Sequence, residues 1–311
     1  MSDQSQQLNQ DFVYALAASA GTPQGKVWYA ARQSGLYFSE DRGSTWQSAY
    51  ASLNLDSNLP TTCLALAQDE AQAATLFAGV PGHVMRSEDG CKSWMAIPLP
   101  HESTIPTALA ISSDFAKDGI LLLGTNEDGV LRSADRGRTW ATWNFGLVDF
   151  NVLCLAMSPA FDRDDTVFAG TGSGLFISQT GGKAWKELKL PAGYVPVLSL
   201  AISPNFESDG TLLVGTEAGG LWMTQDGGQS WQRLGENEIQ GMLNQVILNA
   251  KVPARKEMLA LHENTVLRSD NQGKTWSVVF EGEIASLAAL RGETTELALL
   301  VGMVDGSVKI I

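Results

Sequence analysis

The residues best suited to chemistry in this 311-residue chain are carboxylates. Glycoside hydrolysis needs two of them across a cleft, one as the acid and the other as base or nucleophile. Five candidates follow short apolar runs and are expected in turns: Glu127, Asp128, Glu217, Glu263 and Asp305. The sequence places no two of them at working distance, and solvated turn residues are the simpler interpretation. Glycan hydrolysis is therefore kept as the second hypothesis.

Other catalytic chemistries find little support in the sequence. The three histidines, His83, His101 and His262, stand far apart without metal-ligand spacing, and the chain contains no Cys-x-x-Cys. No glycine-rich phosphate loop precedes a helix, because the 31 glycines are spread over turns. We therefore predict no metal site, no cofactor and no catalytic residue.

One eight-residue pattern, S-x-D-x-G-x-[TS]-W, occurs six times and is called the box here. Its tryptophans stand 48, 46, 45, 46 and 45 residues apart. A repeat of this period predicts a propeller or a solenoid. Apolar alternating runs flank each copy, so the box is expected to be a hairpin turn.

Each residue type in the box has a mechanical reason. The aspartate can accept backbone hydrogen bonds, the glycine supplies a positive φ, and the tryptophan packs on the neighbouring unit. Cys91 replaces one glycine, and Thr180 and Asn271 replace two aspartates. We expect only glycine to rely on positive φ, so Gly137→Ala should destabilise more than Cys91→Ala. The predicted structural residues are Asp41, Gly43, Trp46, Asp89, Trp94, Asp135, Gly137, Trp140, Gly182, Trp185, Asp226, Gly228, Trp231, Gly273 and Trp276.

The boxes resemble the Asp-box, or BNR, repeat of sialidases and related β-propellers, over roughly residues 11–311. The resemblance implies a structural turn on the rim, away from the active face. The arginine triad, the tyrosine nucleophile and the Arg-Ile-Pro motif of sialidases are not recognisable. The Ile-Pro pairs at 97–98 and 105–106 lack a preceding arginine. Propeller endo-glucanases with Asp boxes use two facing propellers, and this chain supplies one.

In repeat, length and blade number the chain is similar to the photosystem II assembly and stability factor, a protein-binding propeller. That family is exported to the thylakoid lumen and carries a basic patch, whereas this chain is acidic and shows no signal. The resemblance implies a non-catalytic protein-binding scaffold or assembly factor. The alternative is a glycan-binding protein or a glycoside hydrolase that acts through carboxylates on its loops.

Reading outward from the boxes predicts an all-β, seven-bladed propeller with four-stranded antiparallel blades. First strands recur near residues 12, 62, 105, 151, 195, 244 and 283, which gives seven blades against six boxes. The last blade ends on its third strand. We expect one propeller over residues 11–311, with residues 1–10 as a frayed tail or as the closing strand.

Composition limits the partners. Lys and Arg number 21 and Asp and Glu 34, and the net charge of −13 disfavours nucleic acid and anionic membrane surfaces. Solubility is the simpler reason for this acidity. Three cysteines are too few for a disulfide framework, and no apolar run is long enough to span a membrane. The first residues lack the features of a signal peptide, so we expect a cytoplasmic protein.

Variable loops on a rigid scaffold are where binding usually occurs. On the face opposite the boxes, the most apolar crossing is 144–150, and its neighbours contain His101 and Tyr194. Aromatic anchors with a polar rim are typical of protein-binding hot spots. The alternative is that Phe145 and Phe150 fold inward between blades. The predicted protein-binding residues are His101, Phe145, Asp149, Phe150 and Tyr194.

Overall fold

The computed structural model describes residues 10–19, 27–67, 75–252, 255–290 and 298–311. These residues form seven antiparallel sheets in chain order, and each sheet is one blade of a propeller. The predicted seven-bladed architecture is confirmed. Six blades have four strands, whereas the last has three within the described residues. The predicted tail or closing strand lies outside the described residues, apart from Gln10.

Within each blade the strands pair with their neighbours in sequence. Blade 1 contains β1 (Val13–Ala18), β2 (Trp28–Arg32), β3 (Gly35–Ser39) and β4 (Gln47–Ser48). Blade 2 contains β5 (Cys63–Ala67), β6 (Thr75–Val80), β7 (His83–Ser87) and β8 (Met95–Pro98). Blade 3 contains β9 (Pro106–Ile111), β10 (Leu121–Thr125), β11 (Val130–Ser133) and β12 (Ala141–Thr142). Blade 4 contains β13 (Val152–Met157), β14 (Val167–Thr171), β15 (Leu175–Ser178) and β16 (Lys186–Leu188).

The remaining blades follow the same order. Blade 5 contains β17 (Val197–Ile202), β18 (Thr211–Thr216), β19 (Leu221–Gln225) and β20 (Gln232–Leu234). Blade 6 contains β21 (Leu243–Val252), β22 (Arg255–His262), β23 (Thr265–Ser269) and β24 (Ser277–Glu281). Blade 7 contains β25 (Ile284–Leu290), β26 (Ala298–Met303) and β27 (Val308–Ile310). Blades 3, 4 and 5 carry one-turn helices between their first two strands, α1 (Phe115–Asp118), α2 (Phe161–Asp164) and α3 (Phe206–Asp209).

The hydrophobic core lies between adjacent blades. Phe77 and Val84 of blade 2 belong to one buried cluster with Leu121 and Trp140 of blade 3. Each blade has apolar side chains on both faces of its sheet, since each face meets a neighbour. Two box tryptophans also bridge blades through their indole N–H. Trp94 Nε1 donates to the Ala49 carbonyl at 2.7 Å, and Trp185 Nε1 donates to the Trp143 carbonyl at 2.9 Å.

Hydrogen bonds between innermost strands tie the blades into a ring. Thr107 Oγ1 donates to the Val152 carbonyl of the next blade at 2.6 Å. Ser286 Oγ in blade 7 donates to the Val13 carbonyl of blade 1 at 2.6 Å, across the junction between the ends of the chain. Asp11 N also donates to the Val304 carbonyl of blade 7 at 3.1 Å. The ring is therefore closed by side-chain and backbone contacts of the described residues.

The glycine position of the box adopts a positive φ even where it is not glycine. Gly137 has a φ of 76°, and Cys91 at the same place has a φ of 70°. The expectation that Cys91 does not rely on this conformation is wrong. The box clamp is kept around it, because Cys91 N donates to Ser87 Oγ and Ser93 N donates to Asp89 Oδ1. The turn, rather than the residue, dictates the backbone conformation.

Candidate functional site

Two kinds of connection lie on the face opposite the boxes, which we call the loop face. One kind crosses from the last strand of a blade to the first strand of the next, and the other joins the second and third strands. The described part of this face comprises six crossings, seven such turns and residues 10–12, which lead into blade 1. They are residues 10–12, 33–34, 49–62, 81–82, 99–105, 126–129, 143–151, 172–174, 189–196, 217–220, 235–242, 263–264, 282–283 and 304–307.

The crossing at 143–151 is anchored at both ends. Asn144 Oδ1 accepts a hydrogen bond from Val130 N, and its Nδ2 donates to the Asp128 carbonyl, both at 2.8 Å. At the other end Gly129 N donates to the Phe150 carbonyl at 3.0 Å. Leu147, only 5% exposed, joins the buried cluster between blades 3 and 4. Leu147 therefore fills the gap for which Phe145 and Phe150 were the alternative candidates.

The two phenylalanines of this crossing are exposed but lie at opposite ends. Phe145 is 81% exposed, and its carbonyl accepts a hydrogen bond from Trp185 N at 2.8 Å. That bond places Phe145 at the outer edge, beside the box of blade 4. Phe150, 46% exposed, precedes the innermost strand β13. The sequence suggested one patch, whereas the structure separates Phe145 from the inner part of the loop face.

Tyr194 lies in the next crossing and is 80% exposed. It lines a cavity of about 170 Å³ together with Gly174, Leu188 and Leu190. Glu217 N donates to the Pro196 carbonyl at 3.0 Å, which holds the turn of blade 5 beside this crossing. The aromatic ring therefore stands next to a groove whose charged lining residues are Glu187 and Lys189, and it contributes little to the core.

His101 and Asp149 serve the loops themselves. His101 Nδ1 lies 2.8 Å from Asp128 Oδ1, and the Thr104 hydroxyl donates to the other oxygen of the same carboxylate. These contacts connect crossing 99–105 to the turn of blade 3. Asp149 Oδ1 accepts a hydrogen bond from Asn151 N at 2.9 Å, just before β13. His101 and Asp149 thus shape the loop face on either side of Phe150.

The loop face is strongly acidic. Its segments contain twelve carboxylates and a single lysine, Lys189. Within the described part of the chain, eight of these carboxylates make no hydrogen bond or ion pair. The eight are Asp56, Glu102, Glu127, Glu217, Glu236, Glu238, Glu263 and Glu283. Hydrogen bonds from the Ser307 hydroxyl and backbone lower the pKa of Asp305, which is thereby tied to its own turn. Asp128 is similarly tied to His101 and Thr104.

The box residues lie on the other face and act on their own turns. Asp41 accepts hydrogen bonds from Thr45 N at 2.8 Å, the Thr45 hydroxyl at 2.6 Å and the Ser39 hydroxyl at 2.8 Å. Because these donors favour the charged form, the pKa of Asp41 is lowered to about 2. Thr180 and Asn271 accept the equivalent backbone hydrogen bond from Ala184 N and Thr275 N.

Sequence reasoning missed two features. A cavity of about 400 Å³ lies at the box-face ends of the innermost strands, lined partly by Ala67, Ile111 and Phe115. Ile105 and Met242, 40% and 39% exposed, also lie on the loop face. The signal for Ile105 and Met242 was an apolar residue immediately before an innermost strand, and the sequence held no comparable signal for the cavity. In the described segments no group of His, Cys, Asp or Glu is arranged to hold a metal ion.

Comparison with solved structures places the chain among propellers. It superposes on an ancestral GH74 enzyme with a TM-score of 0.74 and 17% identity, covering 96% of this chain and 45% of that one. It superposes on YCF48 from Cyanidioschyzon merolae with a TM-score of 0.70 and 14% identity, covering 96% of this chain and 95% of that one. On YCF48 bound to D1 peptide it superposes with a TM-score of 0.67 and 17% identity, covering 97% of this chain and 92% of that one. Neither a protein-family model nor a curated protein matches the chain.

These likenesses show the fold, because all identities are below one fifth. The chain spans about half the length of the GH74 enzyme and nearly all of YCF48. The chain is thus a seven-bladed propeller with single-propeller proteins among its structural neighbours. Among the residues that the structure describes, no helix has the length and apolar character needed to cross a membrane.

Proposed function

We propose that this propeller is a non-catalytic protein-binding scaffold whose partner docks on the loop face of blades 3 to 6. The observation that carries the proposal is the exposure of Tyr194, which is 80% exposed beside a groove, and of Phe150, which is 46% exposed in the preceding crossing. Leu147 fills the neighbouring gap between blades, so these rings are not needed there. Exposed aromatic side chains on a rigid frame are typical anchors of protein interfaces.

The comparisons support the same proposal. YCF48, which this chain matches over nearly the full length of both proteins, has been solved with D1 peptide bound. A single propeller of this size therefore has a structural neighbour that holds a peptide. We further propose a cytoplasmic location, which the three free cysteines, Cys63, Cys91 and Cys154, support because free thiols suit a reducing compartment.

The test is partner capture by the tagged full-length chain from a native lysate of its source, read by mass spectrometry. The variant is Phe150→Ala combined with Tyr194→Ala. We expect it to lose the specific partner while its melting temperature stays within about 2 °C of the wild type. Met95→Ala is the matched control, because Met95 is 55% exposed on β8, outside the loop face. Unchanged capture by the double variant would refute this proposal.

A second candidate is a glycan-binding protein or glycoside hydrolase on the same face. It is favoured by exposed carboxylates of this face that make no hydrogen bond in the described structure, such as Glu217 and Glu263, and by the likeness to a GH74 enzyme. Against it, the chain spans only about half of that enzyme. A screen of chromogenic glycosides and soluble oligosaccharides separates the candidates. Hydrolysis that is abolished by Glu217→Gln or Glu263→Gln would establish the enzyme.

A further inference from the structure

Four consecutive blades repeat one arrangement at the inner edge of the loop face. In each, an exposed apolar residue of the crossing precedes the innermost strand, and a carboxylate residue lies in the same crossing or in the turn bonded to it. In three of these blades a backbone bond holds the turn against the crossing: Asn126 N donates to the Ile105 carbonyl at 3.1 Å, Glu217 N to the Pro196 carbonyl at 3.0 Å and Glu263 N to the Met242 carbonyl at 3.3 Å. We call this set the arc; its pairs are Ile105 with Glu127, Phe150 with Asp149, Tyr194 with Glu217, and Met242 with Glu263.

Blade 4 keeps the arrangement although its turn, Gly172-Ser173-Gly174, has no acidic residue. The carboxylate comes from the crossing instead. Asp149 Oδ2 lies only 3.2 Å from the place that a Cβ on Gly172 would occupy. Gly172 N also donates to the Asn151 carbonyl at 3.0 Å, which fixes the turn under the crossing. All four blades therefore have a carboxylate residue at this edge of the loop face, which comes from the turn in blades 3, 5 and 6 and from the crossing in blade 4.

The arc carries charge that the fold does not use. Glu127, Glu217 and Glu263 are exposed, and within the described residues their carboxylates have no hydrogen-bond or ion-pair partner. Two basic side chains lie near the arc: Lys189 lines the Tyr194 cavity, and the Arg233 guanidinium lies 3.2 Å from the place that a Cβ on Gly220 would occupy. Carboxylates without counter-charges attract cations and repel phosphates, anionic lipids and a second copy of the same face.

We propose that the arc binds a cationic polypeptide segment in which Lys or Arg residues stand among large apolar residues. This inference rests on the proposed protein-binding function and adds the chemistry of the partner. The apolar members of each pair would bury the partner's apolar side chains, while the carboxylates pair with its ammonium or guanidinium groups. A neutral glycan would leave the charge of the arc unmatched, and nucleic acid is repelled.

The first test uses three labelled synthetic peptides of equal length, with leucine at alternate positions and Lys, Gln or Glu between. Binding to the full chain is read by fluorescence anisotropy. We expect the Lys peptide to bind at least about tenfold more tightly than the Gln peptide, and the Glu peptide not to bind. Raising NaCl from about 50 to 500 mM should weaken the Lys peptide about tenfold, because salt screens exposed charges.

The second test removes charge from the arc without changing its shape. The triple variant Glu127→Gln, Glu217→Gln, Glu263→Gln should bind the Lys peptide about tenfold more weakly. A matched control removes three charges from the box face through Glu40→Gln, Asp165→Asn and Glu207→Gln. Because its net charge equals that of the arc variant, it should bind within about twofold of the wild type if the attraction is local.

The outcomes separate this inference from the function on which it rests. Equal binding of the Lys and Gln peptides, no binding of the Lys peptide, or equal loss in both triple variants would overturn the cationic-partner inference. If the arc triple variant captures the native partner normally while Phe150→Ala with Tyr194→Ala does not, only the inference falls. If that aromatic double variant also captures normally, the proposed function falls with it.

Discussion

Asp and Glu residues have different surroundings on the two faces of this propeller. The box turns contain seven carboxylates and six basic residues, and their aspartates accept hydrogen bonds within the turn. The loop face has twelve carboxylates and one lysine, and most of those carboxylates bond to nothing in the described structure. In the box turns the aspartates stabilise the fold, whereas the eight unbonded carboxylates of the loop-face segments are available to a partner.

The space around the glycines also differs between the box turns and the crossings. At Gly137 in a box, a Cβ would come within 2.6 Å of the Phe77 ring of the preceding blade. At Gly193 in the Tyr194 crossing, a Cβ would meet nothing within 4 Å. Both residues have nearly the same positive φ, at 76° and 78°. The box turns are therefore packed into the body of the protein, and the crossings have room to vary.

The largest expected effect is the loss of stability caused by a substitution in a box turn. Gly137→Ala adds a clash with Phe77 to the strain of a left-handed backbone, so it should lower the free energy of unfolding by about 3–4 kcal/mol. Gly193→Ala, the matched control with the same φ and no neighbour, should cost about 1 kcal/mol. Urea unfolding of both variants measures the difference. Equal losses would show that only backbone strain matters at the box.

The next prediction concerns two adjacent residues of one crossing. Leu147→Ala empties a site between blades and should cost about 2–3 kcal/mol. Val148→Ala, at a residue 79% exposed, should stay within about 0.5 kcal/mol of the wild type. Thermal or urea unfolding provides the measurement. A large loss at Val148 with none at Leu147 would mean that the crossing runs in the opposite register.

The contrast between Leu147 and its neighbours also shows what the sequence can predict. Seven blades follow from the repeated first strands, because every blade meets the same packing environment and selects the same residue types. The crossing 144–150 showed four large apolar residues, but not which one is buried. That choice depends on the path set by Asn144, whose side chain bonds to the preceding turn rather than to its own segment.

Cys91 and the arc show two further features that could not be predicted from the sequence alone. The positive φ at Cys91 is imposed by hydrogen bonds around the turn, so a departure from the residue pattern did not signal a change of backbone. The acidity of one face was hidden in a net charge that suggested only solubility. The carboxylates of each face can be counted in the sequence only after the strand order has assigned each turn to a face. The pairing of Asp149 with blade 4 remained out of reach, because it depends on a contact with Gly172.

A smaller effect tests the box carboxylates through pH. Hydrogen bonds lower the pKa of Asp41 and of Asp89 to about 2 in the folded state, below the usual value of about 4. Their stabilising contribution is therefore full above pH 4 and is lost as the pH falls towards 2. Asp41→Asn should flatten this part of the stability curve. Thr180→Asp, which supplies the carboxylate that box 4 lacks, should steepen it; no change in either variant would contradict the clamp.

The smallest expected effect is on the loop face, where the carboxylates should contribute no stability. Glu127, Glu217 and Glu263 have no partner to lose in the described structure, and their removal relieves like-charge repulsion. The triple Gln variant should therefore be as stable as the wild type at high salt and slightly more stable at low salt, by at most about 0.5 kcal/mol. Urea unfolding at the two salt concentrations measures this. A clear loss of stability would show that these residues support the fold, and the difference between the faces would disappear. Retained or increased stability together with weakened peptide binding would instead show that the arc keeps its charge for a partner at a small cost to the fold.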